Sequence, residues 1–172
     1  MKKLMGLAAA AALVFSSSVM AEFDMAKVYV GGGAAYNSPD SSGLDSAIGF
    51  QGFAGYDMAD IVEISDEVGF AVEVGYALSG DFEIKNCTAN AFFSCAAGSS
   101  DGLWSTAVFD YAINDEIKAI GRIGYDFADA DGLMFGAGVQ YGLNEQMAVV
   151  GEYVIRDIHK GIQANFIYYL GD

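Results

Sequence analysis

The stretch Lys27-Val28-Tyr29-Val30-Gly31-Gly32-Gly33-Ala34-Ala35-Tyr36 decides the fold of this chain. Successive side chains of a β-strand point to opposite faces, so one face carries Val28, Val30, Ala34 and Tyr36, and the other carries Lys27, Tyr29, Gly31 and Gly33. From Gly31 to Leu170 the chain repeats this pattern, each time followed by a turn, about eight times. An apolar outer face and a small or polar inner face are typical of strands that cross a membrane as a β-barrel.

The hydropathy pattern excludes membrane crossing by helices. No uncharged apolar stretch after the N-terminal segment approaches the roughly 18 residues that such a helix needs. In lipid, only a helix or a closed barrel pairs every backbone amide. The sequence therefore predicts an all-β protein, an eight-stranded antiparallel up-and-down transmembrane β-barrel. The alternative is a soluble β-sandwich that buries its apolar faces together. The predicted strands span residues 25–37, 47–57, 68–84, 103–113, 117–127, 132–142, 147–156 and 161–170.

The N-terminal segment has the features of a secretory signal peptide. Lys2 and Lys3 precede an apolar run from Leu4 to Phe15, and modest side chains up to Ala21 suit a cleavage site. The alternative, a membrane anchor, needs about 20 apolar residues, which is more than this run offers. We expect a signal peptide over residues 1–21, cleaved after Ala21, and a barrel domain over residues 22–172.

Composition and charge limit the classes of partner that the protein can bind. The chain is 53% hydrophobic, yet its formal net charge is −15. Such an acidic balance excludes nucleic acid as a natural partner, because phosphate recognition needs Lys and Arg. We expect the acidic residues to lie mostly in turns and loops, as in residues 57–67 and 126–131.

Two cysteines lie in the longest predicted loop, Lys85–Gly102. Cys87 and Cys95 form a close, even pair in a chain predicted to be exported, which favours a disulfide. A metal site is the weaker alternative, because no histidine or further cysteine lies nearby. In an even-stranded barrel both termini lie on the periplasmic side, so this loop is predicted to be extracellular and could contact an extracellular ligand.

Several strands resemble those of a known family. The runs Gly49-Phe50-Gln51-Gly52-Phe53-Ala54-Gly55-Tyr56, Val68-Gly69-Phe70-Ala71-Val72-Glu73-Val74-Gly75-Tyr76 and Phe135-Gly136-Ala137-Gly138-Val139-Gln140-Tyr141 resemble strands of OmpA-type outer-membrane barrels, a group that includes OmpX and opacity-like porins. The resemblance implies an eight-stranded barrel in the bacterial outer membrane, surrounded by lipid and lipopolysaccharide and inserted by the barrel-assembly machinery. OmpA itself continues into a periplasmic peptidoglycan-binding domain. No such domain follows Leu170-Gly171-Asp172, so cell-wall anchoring is not expected.

Three inward-facing ionisable residues are predicted to meet in the lumen. Glu73, Arg122 and Glu152 each lie five residues after the predicted start of a strand that runs upward from the periplasm. They should therefore occupy a similar height, subject to the shear of the barrel. Arg presents five donors in a fixed fork and could bridge two carboxylates. The hypothesis is a charge cluster that plugs the lumen; the alternative is three separately hydrated side chains.

The remaining candidates for chemistry are weak. His159 is the only histidine, and no serine follows it within the strand as a lipid A hydrolase would require, so it is interpreted as a solvated loop residue. A candidate calcium loop contains Asp126, Asp129 and Asp131, but the EF-hand pattern also needs acids at the positions of Phe127 and Gly138, so the pattern fails. Two interpretations of this segment are left: a solvated acidic loop, or a weak cation contact with lipopolysaccharide. We expect no catalytic residues, no metal site and no cofactor.

The sequence thus favours a small outer-membrane β-barrel with a structural or surface-interaction role and no enzymatic activity. The main alternative is a narrow porin-like channel for ions or small solutes. A lipid-modifying enzyme is a third possibility. Inward charges that neutralise one another would block water, whereas a continuous row of unpaired polar side chains would admit it. The arrangement of side chains in the lumen therefore distinguishes the structural barrel from the channel.

Overall fold

Eight long strands make up most of the part of the chain that the structure describes. The computed structural model describes residues 24–60, 65, 67–89, 94–128 and 131–171. The predicted signal peptide and its cleavage site lie outside these residues. Among the described residues, no helix is long and apolar enough to cross a membrane.

The described residues form ten strands, preceded by a short 3-10 helix over Met25–Lys27. The strands are β1 (Val28–Pro39), β2 (Ala47–Asp57), β3 (Val68–Leu78), β4 (Phe82–Glu83), β5 (Ala96–Gly98), β6 (Gly102–Ala112), β7 (Ile117–Asp126), β8 (Gly132–Asn144), β9 (Met147–Ile155) and β10 (His159–Tyr169).

The long strands close into a single barrel in which every neighbouring pair is antiparallel. Its order is β1-β10-β9-β8-β7-β6-β3-β2, and the ring closes where β10 pairs with β1, from Tyr29 opposite Tyr169 to Pro39 opposite His159. A closed ring leaves no edge unpaired, as lipid requires. The predicted eight-stranded barrel is confirmed, and the soluble sandwich is wrong.

The largest difference from the predicted strand boundaries is at the end of the third strand. The third strand was expected to continue to residue 84, but β3 ends at Leu78. Gly80 has a φ of 79°, and a Cβ at this position would collide with the carbonyl oxygen of Ile48. The backbone bends there, and β4 pairs with β5 as a separate two-stranded sheet.

The alternation of side chains has the predicted direction. Along β2, buried and exposed residues alternate from Ala47 to Gly55, and Ile48 remains 65% exposed on the outer face. Large apolar side chains cover the outside of the other barrel strands in the same way. The outer face is therefore suited to lipid.

The lumen is more apolar than the sequence pattern indicated. Glycine, alanine and a few polar groups were expected there, but a packed cluster of large side chains fills it. These side chains include Tyr29, Phe53, Trp104, Met134, Val150 and Ile167. Inward glycines make room for them: a Cβ at Gly75 would lie 2.5 Å from the Trp104 ring, and one at Gly55 would overlap the Tyr29 ring. A barrel of eight strands is just wide enough for such a packed interior.

The two ends of the barrel differ. The turn end carries the connections at residues 58–67, 113–116 and 145–146, together with the described start and end of the chain. The loop end carries the connections at residues 40–46, 79–101, 127–131 and 156–158.

Candidate functional site

Three ionisable side chains from three strands meet inside the barrel. Arg122 of β7 donates from Nε and Nη2 to the two carboxylate oxygens of Glu152 on β9, at 2.7 and 2.8 Å. It donates from Nη1 to Oε2 of Glu73 on β3, at 2.8 Å. Glu73, Arg122 and Glu152 are 2%, 6% and 3% exposed. The structure thus brings the three predicted residues together in one ionic cluster.

Neighbouring polar groups complete the hydrogen bonding of both carboxylates. The hydroxyl of Tyr29 donates to Oε1 of Glu73 at 3.0 Å, and Nε2 of Gln163 donates to Oε2 of Glu152 at 3.0 Å. Two carboxylates and one guanidinium leave one negative charge. These neutral donors distribute that charge, as a buried ionic group requires.

The surrounding sequence leaves space for the cluster. A Cβ at Gly136 would lie 2.6 Å from Cγ of Arg122, and a Cβ at Gly138 would lie 2.5 Å from Cγ of Glu152. Both glycines belong to β8, the strand between β7 and β9. The guanidinium also lies over the Trp104 ring, 5.7 Å from its centroid, a geometry that supports a cation–π contact.

A second ion pair, nearer the loop end, was missed in the sequence. Arg156, just after β9, pairs with Asp126, the last residue of β7, and both side chains are buried. Arg156 also contacts Oε1 of Gln51 at 3.5 Å, and Nε2 of Gln51 donates to Oδ1 of Asn165 at 2.9 Å. The prediction that Asp126 belongs to a solvated acidic loop is therefore wrong. Side chains two or four residues apart on a strand share a face, so Asp126, four residues after the inward-facing Arg122, could have been predicted to face inward.

A third ion pair lies towards the turn end. Lys118 of β7 and Asp110 of β6 are 2.8 Å apart and are more exposed than the central cluster. A cavity of about 40 Å³ separates this pair from the central cluster. A wider vestibule of about 520 Å³ opens at the turn end, and Asp57, Asp110 and Lys118 line both spaces.

His159 is buried, contrary to the prediction of a solvated loop histidine. It is the first residue of β10, which begins two residues before the predicted strand, and it faces inward with 4% exposure. Its ring centroid lies 5.9 Å from that of Phe82. Among the described residues, its Nδ1 has no hydrogen-bond partner.

One acid is described in the loop between β7 and β8, which follows Asp126. Asp131 accepts a hydrogen bond from the Tyr125 hydroxyl at 3.0 Å, whereas Asp129 lies outside the described residues. Within the described part of the chain, no group of three or more His, Cys, Asp or Glu residues is placed to hold a metal ion.

The two cysteines lie in the connection between β3 and β6. The structure joins Cys87 and Cys95 in a disulfide, with their Cα atoms 5.7 Å apart. The backbone N–H of Ile84 donates to the carbonyl of Cys95 at 2.9 Å, which attaches the disulfide to the small sheet of β4 and β5.

A closed antiparallel barrel with an apolar outside and a packed ionic interior defines this molecule as an outer-membrane β-barrel protein. A family model described as "Outer membrane protein beta-barrel domain" matches residues 7–169, and the chain belongs to this family. Its location is accordingly the bacterial outer membrane.

Solved structures share the same architecture. A de novo designed transmembrane β-barrel gives a TM-score of 0.57 at 16% identity, covering 85% of this chain and 97% of that chain. Ail, the attachment invasion locus protein of Yersinia pestis, gives 0.53 at 15%, covering 83% and 95%. Neisserial surface protein A gives 0.50 at 17%, covering 83% and 97%. These likenesses concern the fold. The comparison with curated proteins gives no significant match.

Proposed function

We propose that this protein is a structural or surface-interacting outer-membrane barrel whose lumen is plugged by its inward charged residues. The observation that carries the proposal is the fully buried cluster of Glu73, Arg122 and Glu152 within an apolar core. Breaking a buried ion pair typically costs about 3–5 kcal/mol, so such a cluster is a persistent obstacle rather than a transient one.

The spaces around the cluster support a closed lumen. The cavity of about 40 Å³ beside the cluster holds at most a few water molecules. Towards the loop end, the pair of Arg156 and Asp126 adds a second obstacle. A conducting pore would need a continuous polar path past both.

One observation favours the alternative of a narrow channel. The vestibule of about 520 Å³ extends from the turn end to Lys118 and Asp110, so water reaches part of the way into the barrel. The central cluster would then be a gate rather than a permanent plug. Electrical recording distinguishes the two.

The proposal includes the absence of enzymatic activity. The only histidine packs against Phe82 inside the barrel, away from the lipid-facing surface that a lipid-modifying enzyme would use. General acid–base catalysis needs a base within hydrogen-bond reach of its reacting group, so we infer that His159 does not act as such a base on lipid.

The partners proposed from this architecture are lipid and lipopolysaccharide around the barrel, and the barrel-assembly machinery during insertion. We infer that the loop end is extracellular, because it carries the longest connection, residues 79–101, and lies opposite the end at which the described chain starts and finishes. An extracellular ligand would then meet the Lys85–Gly102 loop. The net charge of −15 argues against nucleic acid.

Bilayer recordings of the refolded protein test the plug. We expect no steady current through the wild type. Arg122→Ala leaves the carboxylates of Glu73 and Glu152 without their cation, so we expect brief, cation-preferring openings. Lys118→Ala is a matched control, because it removes a lumen cation outside the cluster. Large steady wild-type currents that Arg122→Ala leaves unchanged would overturn the plug in favour of the channel.

A further inference from the structure

The connection between β3 and β6 turns back over the loop end of the barrel. After β3 ends at Leu78, the backbone bends at Gly80, and β4 brings the Phe82 side chain inward. Phe82 is 5% exposed, although it lies in a connection, and its ring packs at 5.9 Å from that of His159. An aromatic side chain of the connection is thus inserted into the loop end of the lumen.

Hydrogen bonds join the two ends of this connection, Ser79 and residues 99–101. Asp101 accepts from the backbone N–H of Ser79 at 2.8 Å and from the hydroxyl of Ser99 at 3.1 Å. The Ser79 hydroxyl accepts from the backbone N–H of Ser100 at 2.7 Å. Nδ2 of Asn37 on β1 donates to the Ser79 carbonyl at 2.8 Å. The two limbs of the connection are therefore tied to each other and to the barrel wall.

The outer part of the connection docks on the loop between β1 and β2. The backbone N–H of Asp45 donates to the carbonyl of Glu83 at 2.8 Å, and that of Lys85 donates to the carbonyl of Gly43 at 2.9 Å. On its other side β4 pairs with β5. The connection therefore lies as a small sheet across the mouth instead of extending into solvent.

We propose that residues 79–85 and 95–101 form a lid that covers the loop end of the lumen, with Phe82 as the side chain that closes it over His159. While closed, the lid blocks solutes at that end, and it opens and closes independently of the ionic cluster of Glu73, Arg122 and Glu152. Few contacts hold it compared with the strand ladders of the barrel, so it opens locally at a lower free energy than the barrel unfolds.

Chemical labelling of His159 tests the lid. His159 is the only histidine of the chain, so carbethoxylation by diethyl pyrocarbonate, read by mass spectrometry of its peptide, reports on this one site. We expect slow labelling of the folded wild type and at least about tenfold faster labelling of Phe82→Ala at the same pH, since the closed state loses its main buried contact. Glu83→Ala, which alters the exposed neighbouring side chain, is the control and should label as the wild type does.

Two outcomes would overturn the lid. One is wild-type labelling as fast as that of the urea-unfolded protein, a measurement that needs no variant. The other is equal labelling of Phe82→Ala and the wild type, with heat-modifiable migration in gels showing that the variant barrel is folded. The lid and the plug fail separately: Phe82→Ala should leave bilayer currents at the wild-type level, and Arg122→Ala should leave His159 labelling at the wild-type rate.

Discussion

Removing the charge from either carboxylate of the cluster should have very unequal effects on stability. Glu152 accepts two hydrogen bonds from Arg122 and a third from Gln163. Glu152→Gln replaces one acceptor oxygen with an amide nitrogen, which then faces a donor of Arg122 or Gln163. Glu73 accepts one hydrogen bond from Arg122 and one from Tyr29. In Glu73→Gln the amide oxygen still accepts from Arg122, and the amide nitrogen donates to the Tyr29 hydroxyl oxygen.

These differences set the expected magnitudes. Glu152→Gln loses charge-assisted hydrogen bonds worth about 1.5–3 kcal/mol each and leaves an unsatisfied buried donor, so we expect a loss of about 3–5 kcal/mol. Glu73→Gln keeps both hydrogen bonds and removes the excess negative charge of the cluster, so we expect a loss of about 1 kcal/mol or less. The assay is urea unfolding of the protein in lipid vesicles, followed by the fluorescence of Trp104, the single tryptophan.

The ordering of the two variants is the decisive result. The expected gap between the two losses is about 2 kcal/mol or more. Equal losses for Glu73→Gln and Glu152→Gln, or a larger loss for Glu73→Gln, would refute the inference that Arg122 is held chiefly by Glu152. Gln140→Glu would serve as a control for adding rather than removing a lumen charge outside the cluster.

Four further predictions concern two glycines, the disulfide and the closure of the barrel. Gly151→Ala should stabilise the barrel by about 0.4–1 kcal/mol, because an added Cβ meets nothing within 4 Å. Gly136→Ala should destabilise it by about 1–3 kcal/mol, because the Cβ meets the Arg122 side chain; urea unfolding decides both, and the opposite signs would contradict the packing. Mass analysis without reductant should show the peptides of Cys87 and Cys95 joined, and reduction should leave the barrel folded because the bond lies outside the strand ladders; free thiols in fresh protein would contradict this. Unheated and boiled samples should migrate differently in detergent gels, because the closed barrel unfolds slowly; identical migration would contradict closure.

The barrel itself was predictable because its signal is repeated in every strand. Alternation assigns each side chain to a face, and turns separate the strands, so the predicted span 47–57 coincides with β2. The cluster was predictable for the same reason: Glu73, Arg122 and Glu152 share an offset from strand starts that lie at one end of the barrel.

Other features depend on contacts that alternation does not encode. Phe53 and Trp104 face inward although both are as apolar as lipid-facing residues, and only the glycines packed against them reveal the space they fill. Arg156 and Asp126 lie where strands end, and an error of one or two residues there reassigns a side chain from lumen to loop. The burial of His159 depends on Phe82, which comes from a distant connection.

The pairing of β1 with β10 has a consequence for the order of events in biogenesis. Tyr29 of β1 pairs with Tyr169 of β10 where the barrel closes, so β1 cannot complete its pairing until β10, the last strand, has been synthesised. Contacts so distant in sequence form slowly, and until they form, β1 and β10 expose unpaired amides that promote aggregation. A chain truncated before His159 would keep two open edges permanently, and it should be degraded rather than inserted as a smaller barrel.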